Sequence, residues 1–193
     1  MNIGTRAVRA LLPLALLPLA ACDDPFGPQT WDATPDTAQL WSASRADLIG
    51  QPAAFDFTAP APTPVLIETT GATQRWDVVL IDDAGQLALA PASYFLGASS
   101  RTAIAPQGTL DLDEVRRAPS DTSAYLRRPV PLRVGELYIV RSRVEVCPDG
   151  FSSGARYAKI TPVQIDAAAG TVRFALVRNP YCDNRDLVPP EGD

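Results

Sequence analysis

Three residue types give this chain of 193 residues its legible chemistry: cysteines at 22, 147 and 182, arginines crowded into the second half, and a few paired carboxylates. A fourth type decides more by being missing. The chain has no histidine, and its one methionine is Met1. Ser-His-Asp and Cys-His nucleophile chemistry, HExxH metalloprotease sites, His-ligated zinc and His- or Met-ligated haem are therefore excluded within it. General acid/base or glycosidase chemistry is left to carboxylate pairs, of which the candidates are Asp82 with Asp83, and Asp111 with Asp113 and Glu114. Neighbouring strand residues point to opposite faces, and Asp82-Asp83 precedes Ala84-Gly85, so a turn explains the first pair better. The second lacks the spacing of a calcium loop and supplies too few oxygens alone, so a solvated edge is expected there. The expectation is no catalytic residue, no metal and no cofactor.

Cys22 has a context of its own. Arg6 and Arg9 form a positive start, and residues 10–21 form an apolar run interrupted by Pro13 and Pro18, the pattern of a secretory signal. Twelve residues are too few to span a bilayer as a helix. The run ends in Leu19-Ala20-Ala21-Cys22, which resembles the lipobox of bacterial lipoproteins: small residues fit the signal peptidase cleft, and the following thiol takes the diacylglyceryl group. Two or more acyl chains, palmitate among them, each bring about 0.8 kcal/mol per buried CH₂ and hold a protein stably on a membrane surface. The expectation is a lipoprotein signal peptide over 1–21 and a bacterial envelope protein that meets the membrane only through its anchor. Asp23 and Asp24 leave open which membrane that is. Residues 22–36, rich in Pro, Asp and Thr, cannot bury enough apolar surface to fold alone. They read as a tether, with Trp31 available to dock onto the domain.

In an oxidising compartment Cys147 and Cys182 then remain, 35 residues apart, with neither a CxxC spacing nor a third ligand. A disulfide is expected. Closing such a loop stabilises a fold by roughly 3–4 kcal/mol on the chain-entropy estimate.

These residues must be positioned by strands. Short alternating or apolar segments at 39–42, 53–57, 65–69, 74–81, 86–90, 101–105 and 109–115 are bounded by Pro, Gly and Asp, the punctuation of an all-β domain. Asp82-Asp83-Ala84-Gly85 between two of them predicts a hairpin. Segments 135–146, 155–166 and 170–178 read as an antiparallel meander. In the last, Val172, Phe174 and Leu176 share one face. In the first, Val140, Ser142, Val144 and Val146 share a face, with Arg141, Arg143 and Glu145 opposite. The outer strands of a meander end at the same edge, about 9.5 Å apart, and Asn179-Pro180-Tyr181 gives the slack for Cys182 to reach Cys147. The fold class expected is an antiparallel β-sandwich or meander-containing β domain over 37–185, with a disordered tail over 186–193.

Residues 22–193 carry 15 basic against 22 acidic side chains, a net of −7, which argues against nucleic acid as a partner. The charge is uneven. Residues 22–115 have 3 basic and 13 acidic groups, and residues 116–185 have 12 basic and 6 acidic. Arg116, Arg117, Arg127, Arg128, Arg141, Arg143 and Arg173 are candidates for an anion-binding patch, because guanidinium forks match phosphate, sulfate or the acids of an envelope glycan. The competing explanations are that the basic strands pair with the acidic half of the same domain, or that Arg simply replaces Lys as in a GC-rich genome, Lys159 being the only lysine.

Arg75-Trp76-Asp77-Val78, Ala118-Pro119, Leu137-Tyr138-Ile139-Val140-Arg141-Ser142, Arg156-Tyr157-Ala158-Lys159-Ile160 and Val172-Arg173-Phe174 follow one another in this order. The series is similar to the HmuY-like, haem-associated lipoproteins of Gram-negative bacteria. That resemblance implies an all-β fold at the cell surface. The family's usual haem ligands are a pair of His, which this chain lacks, so no ligand position carries over. Tyr can ligate haem iron, which leaves Tyr138, Tyr157 and Tyr181 as the residues a haem carrier of this kind would have to use. The function expected is a non-catalytic envelope module, binding or purely structural, whose ligand the sequence does not name: an anionic envelope ligand or a protein partner, without haem. The alternatives are a carboxylate-based hydrolase and a haem carrier with a non-His ligand.

Overall fold

The computed structural model describes residues 30–72 and 75–190. The expected signal peptide, Cys22 and the first part of the tether lie outside the described residues. The protein is all-β, with two antiparallel five-stranded sheets. The first contains, in spatial order, β1 (Asp36–Trp41), β12 (Thr171–Arg178), β11 (Tyr157–Asp166), β8 (Leu137–Arg141) and β6 (Ala103–Gly108). The second contains β3 (Thr63–Val65), β2 (Ala54–Asp56), β4 (Val78–Asp83), β5 (Gln86–Pro91) and β7 (Val130–Pro131). A short ribbon of β9 (Glu145–Val146) and β10 (Ser153–Gly154) extends one end, and β5 runs into a single turn of helix, α1 (Ala92–Leu96).

The period-2 pattern points one residue set of each sheet into a shared core. Leu40, Tyr138, Val140, Ile160, Val172 and Phe174 come from the first sheet, and Phe55, Val78, Leu80, Leu87 and Leu89 from the second. Phe55 meets Phe57 at 4.8 Å and Phe174 edge-on at 5.4 Å between ring centres, the offset arrangement that aromatic quadrupoles favour. The outer faces are covered as well. Ala54, Val79 and Ala90 are buried with Trp76, with the partly buried Val65 and Ile67 packed against them, and Ala105, Ile139 and Tyr157 are buried with Ala118 and Leu187, with the partly buried Tyr125 packed against them. Double burial explains why β5 is apolar on both faces where a half-exposed strand would alternate.

The expected meander is present, since β8, β11 and β12 are neighbours. Cys147 and Cys182 are joined, with Cα atoms 5.7 Å apart. Gly154 makes the approach possible, because a Cβ there would lie 2.7 Å from Asp183 Cβ and 3.1 Å from Cys182 Sγ. The hairpin of β4 and β5 also forms, with Asp83 opposite Gln86. Its two left-handed residues are Ala84, at φ 54°, and Gly85, at φ 85°. Asp82 serves from outside the turn by accepting the Gly85 N–H at 2.7 Å.

Four expectations are corrected. The strand expected at 109–115 is an irregular turn in which Glu114 accepts the Asp111 N–H. Its carbonyls at Leu112 and Val115 face the ammonium of Lys159, which is buried on the adjacent sheet. The strand expected over 135–146 stops at Arg141, because Ser142 and Arg143 turn toward the other sheet. Of the tail expected over 186–193, the described residues 186–190 are tied to the domain: Asp186 bridges Arg117, and Leu187 is buried with its N–H donated to Arg116 O at 2.8 Å. At the other boundary, β1 already begins at Asp36, inside the expected tether.

Asparagine accepts the left-handed conformation of a type I′ turn more readily than alanine, so Ala84→Asn is expected to stabilise the fold by about 0.5–1 kcal/mol. Gly154→Ala is expected to cost about 1–3 kcal/mol through overpacking against Cys182 and Asp183. Urea unfolding of both variants with the disulfide intact measures the two effects.

Candidate functional site

The strand registers bring chemistry to one end of the sandwich. Asp36, Arg178, Tyr157, Arg141 and Ala103 lie at this end of the first sheet, and Asp56, Thr63, Val78 and Pro91 at the same end of the second. Asp77, immediately before β4, is fully buried there. Its Oδ2 accepts the Phe57 N–H at 2.7 Å, and its Oδ1 accepts the Arg143 N–H at 2.8 Å and lies 3.2 Å from Arg143 Nη1. The rest of the Arg143 guanidinium reaches Asp56 at 3.0 Å and Glu145 at 2.7 Å, and it donates to the Thr58 hydroxyl. That hydroxyl lies 2.8 Å from Asp56 Oδ1. Two more arginines of the first sheet hold the same stretch of the second by its carbonyls. Arg156 donates to Thr58 O at 2.9 Å, and Arg178 to Phe57 O at 2.9 Å and Ala59 O at 2.6 Å.

Burial pushes the Asp77 carboxyl up to about 6, against the pull of Arg143 and of the two backbone donors, and Asp56 adds to the rise. Burial also opposes the charge on Arg143, but Asp77, Asp56 and Glu145 outweigh it and hold the group above its ordinary value. This acidic trio gathers three carboxylates around a single, largely buried guanidinium. Its oxygens are taken by Arg143, Thr58 and backbone N–H groups, and Asp77 has no exposed surface with which to touch a substrate. The pairs singled out in the sequence are turn formers instead: Asp82 holds Gly85, and Glu114 holds Asp111.

Set beside protein-family models, curated proteins and solved structures, the chain matches none. The assignment of roles therefore rests on geometry alone.

The seven arginines do not form one patch. Arg143 is a correction to that expectation, since it is spent inside the Asp56, Asp77 and Glu145 cluster. Arg141 lies partly buried on the outer face of the first sheet near Tyr125 and Tyr157, whose hydroxyls it acts on electrostatically. Arg173 is exposed on β12, opposite Gln39 and Gln164 of its neighbours. Arg127 is exposed, and Arg128 lines a hollow with Arg133, Glu136 and Tyr138. Arg116 and Arg117 share a groove of about 480 Å³ that Trp31, Asn184, Asp186, Val188, Pro189 and Pro190 also line. Arg117 reaches Asp186 at 3.5 Å, an exposed pair worth little and easily exchanged. The groove depends on residues the sequence placed in a tether and a tail. The signals in retrospect are Trp31 in an otherwise polar stretch and Leu187-Val188 in a supposedly unstructured end.

The three tyrosines are separated by the fold. Tyr138 points into the central core, with its hydroxyl donating to Glu136 at 2.9 Å; burial, helped by Glu136, pushes it up to about 12. Tyr157 packs on the opposite face of the same sheet, where burial also raises it. Tyr181 donates to Thr30 O at 2.9 Å, fixing the incoming chain to the segment after β12.

Asp77 sets a pH dependence with a definite sign. Its folded value lies above the ordinary 3.8, so the folded state holds the proton more tightly. The stability this contributes is complete below about pH 4 and is lost as pH rises through about 6. Asp77→Asn cannot titrate and is expected to be less stable than the parent throughout, because its amide presents N–H where Phe57 or Arg143 also donates. The gap between the two is expected to narrow by on the order of 2–3 kcal/mol from about pH 4 to about pH 7. Denaturant unfolding of both proteins at the two pH values checks the sign, and a gap that widens refutes it.

Proposed function

We propose that the chain is a lipid-anchored protein of the bacterial envelope, a non-catalytic module that binds an acidic glycan in the groove between Trp31 and the Arg116-Arg117 pair. The observation that carries the reading is the composition of this groove. An aromatic ring offers a face for the C–H side of a sugar. The Arg117 guanidinium, whose exposed pair with Asp186 is readily exchanged, offers a fork for its carboxylate or phosphate, Arg116 adds positive charge beside it, and Asn184, whose Oδ1 accepts the Asp186 N–H, adds its amide N–H donors. The anchor follows from Leu19-Ala20-Ala21-Cys22 after Arg6 and Arg9. Cys147 and Cys182 are bonded to each other, which leaves Cys22 as the one thiol outside the disulfide and fits an exported, oxidised chain.

Two measurements separate the parts of this reading. Replacing Cys22 with Ser and fractionating cells is expected to move the protein out of the membrane fraction, and a variant that stays membrane-bound like the parent removes the anchor. Calorimetric titration of the purified domain with oligogalacturonate is expected to show saturable binding that Arg117→Gln or Trp31→Ala weakens by roughly tenfold. A neutral maltooligosaccharide of the same length is expected not to bind. Equal binding of the neutral and acidic sugars would remove the ligand class.

A further inference from the structure

The end of the sandwich that carries the ion-pair cluster also carries apolar surface with no partner. Among the described residues, three aromatic side chains are exposed, and all three lie on connections at this end: Tyr94 (54%) and Phe95 (52%) on α1, between β5 and β6, and Phe151 (98%) between β9 and β10. Leu96 and Val146 are exposed beside them in sequence.

Their presentation is built. Phe95 packs edge-on against Trp76 at 6.1 Å and against Tyr94 at 5.0 Å. The loop under Phe151 is closed by Cys147 N–H donating to Ser152 O at 2.9 Å and is secured by the disulfide at Cys147. Asp149 Oδ1 accepts the N–H of Phe151 at 2.9 Å and of Ser152 at 3.0 Å. These bonds fix the backbone beneath a ring that stands in water, and exposed apolar residues gathered at one end mark an interaction surface.

The chain enters at this same end. β1 starts at Asp36, opposite Leu176 near the finish of β12, and Thr30 is tied to Tyr181 beyond that strand. From Thr30 back to Cys22 is eight residues, a reach of at most about 29 Å. A domain of about 160 residues has a radius of gyration near 15 Å and is therefore roughly 40 Å across. An anchor on so short a lead draws the entry end toward the bilayer and keeps the opposite end, where Ile49 and Val134 are exposed, away from it.

We propose that the tip formed by Tyr94, Phe95 and Phe151 inserts into the interfacial layer of the membrane that holds the anchor. The inference rests on the lipid-anchored reading above. Aromatic rings are the side chains that favour this layer, and a second contact makes a tethered domain sit in one orientation. The attraction is apolar, since Asp149 and Glu145 stand in the same region and would oppose an anionic surface.

The test supplies the anchor chemically, so that a failure of lipidation in cells does not decide it. Both sheets, their cores and the disulfide lie within residues 36–187, so a chain beginning at Cys22 carries the whole fold. Its one free thiol is coupled to a maleimide lipid in vesicles of phosphatidylethanolamine and phosphatidylglycerol, and amide hydrogen exchange is compared with the uncoupled protein. Exchange is expected to slow several-fold at 92–97 and 148–152, at low and at high salt alike, and not at 46–51 or 131–136. The triple variant Tyr94→Ser, Phe95→Ser, Phe151→Ser is expected to lose the protection while keeping the fold's slow core amides. Unchanged exchange at both ends overturns the proposal. Protection at the opposite end, or protection that survives in the triple variant, overturns it as well.

Discussion

The fully buried carboxylate of Asp77 is the constraint around which one half of this structure is arranged. An ionised group in a sandwich core costs several kcal/mol unless its oxygens are matched. The match comes from both sheets: the Phe57 N–H from the second, and the Arg143 N–H and guanidinium from the continuation of β8. To supply them, the chain must leave the ladder after Arg141. The outcome is the kink at Ser142, whose own hydroxyl donates to Arg143 O at 2.7 Å and accepts the Arg156 N–H at 2.8 Å. Removing one partner from such a network costs more than the network contributes over an apolar equivalent, because the other is left buried and charged. The cluster thus fixes how the two sheets meet, whatever its net contribution to stability.

The uneven charge along the chain has its physical account here. Asp56 and Asp77 belong to the acidic half and Arg143 to the basic half, and they meet across the sandwich. Arg156 and Arg178 also reach the acidic half, but through its backbone carbonyls at 57–60. Those carbonyls belong to an irregular stretch without a strand neighbour, and a guanidinium with five donors can satisfy several at once. Three arginines are consumed in this way, which is why the basic half does not present a continuous cationic face.

Local rules carried much of the fold in the sequence. The β4–β5 hairpin was legible because Asp-Ala-Gly between apolar runs has few other conformations to adopt, and the meander because Val172, Phe174 and Leu176 alternate without interruption. The disulfide was legible from two cysteines left over without a third ligand, and the meander accounts for their meeting, since its outer strands end on the same side. What local rules could not show is the covering of the outer faces. Asp111-Leu112-Asp113-Glu114 alternates like a strand, yet the segment folds as a lid because Lys159, at an outward position of a central strand, needs its carbonyls. Leu187 looked like part of a polar end, and it is buried because Ala105, Ile139 and Tyr157 leave an apolar surface to be covered. The face of Arg143 was misread for the same reason: period-2 alternation holds only while the ladder does, and a partner 66 residues earlier ended the ladder.

The same dependence on distant segments governs the candidate site. Neither Trp31 nor Pro189 and Pro190 would form a groove alone. They become its walls because Tyr181 holds Thr30 on one side and the Arg117–Asp186 bridge with the buried Leu187 holds the C-terminal segment on the other. These two fastenings lie on either side of the Cys147–Cys182 bond in the chain's path, so the disulfide, the groove and the entry point of the tether form one mechanical unit. With the lipid proposed at Cys22, a surface assembled at the chain's entry would have its orientation relative to the membrane set by the fold itself, because the lead from Cys22 to Thr30 is shorter than the domain is wide. On that proposal, the groove's ligand would lie within reach of the envelope layer to which the anchor is fixed. This favours a fixed component of that layer over a freely diffusing solute.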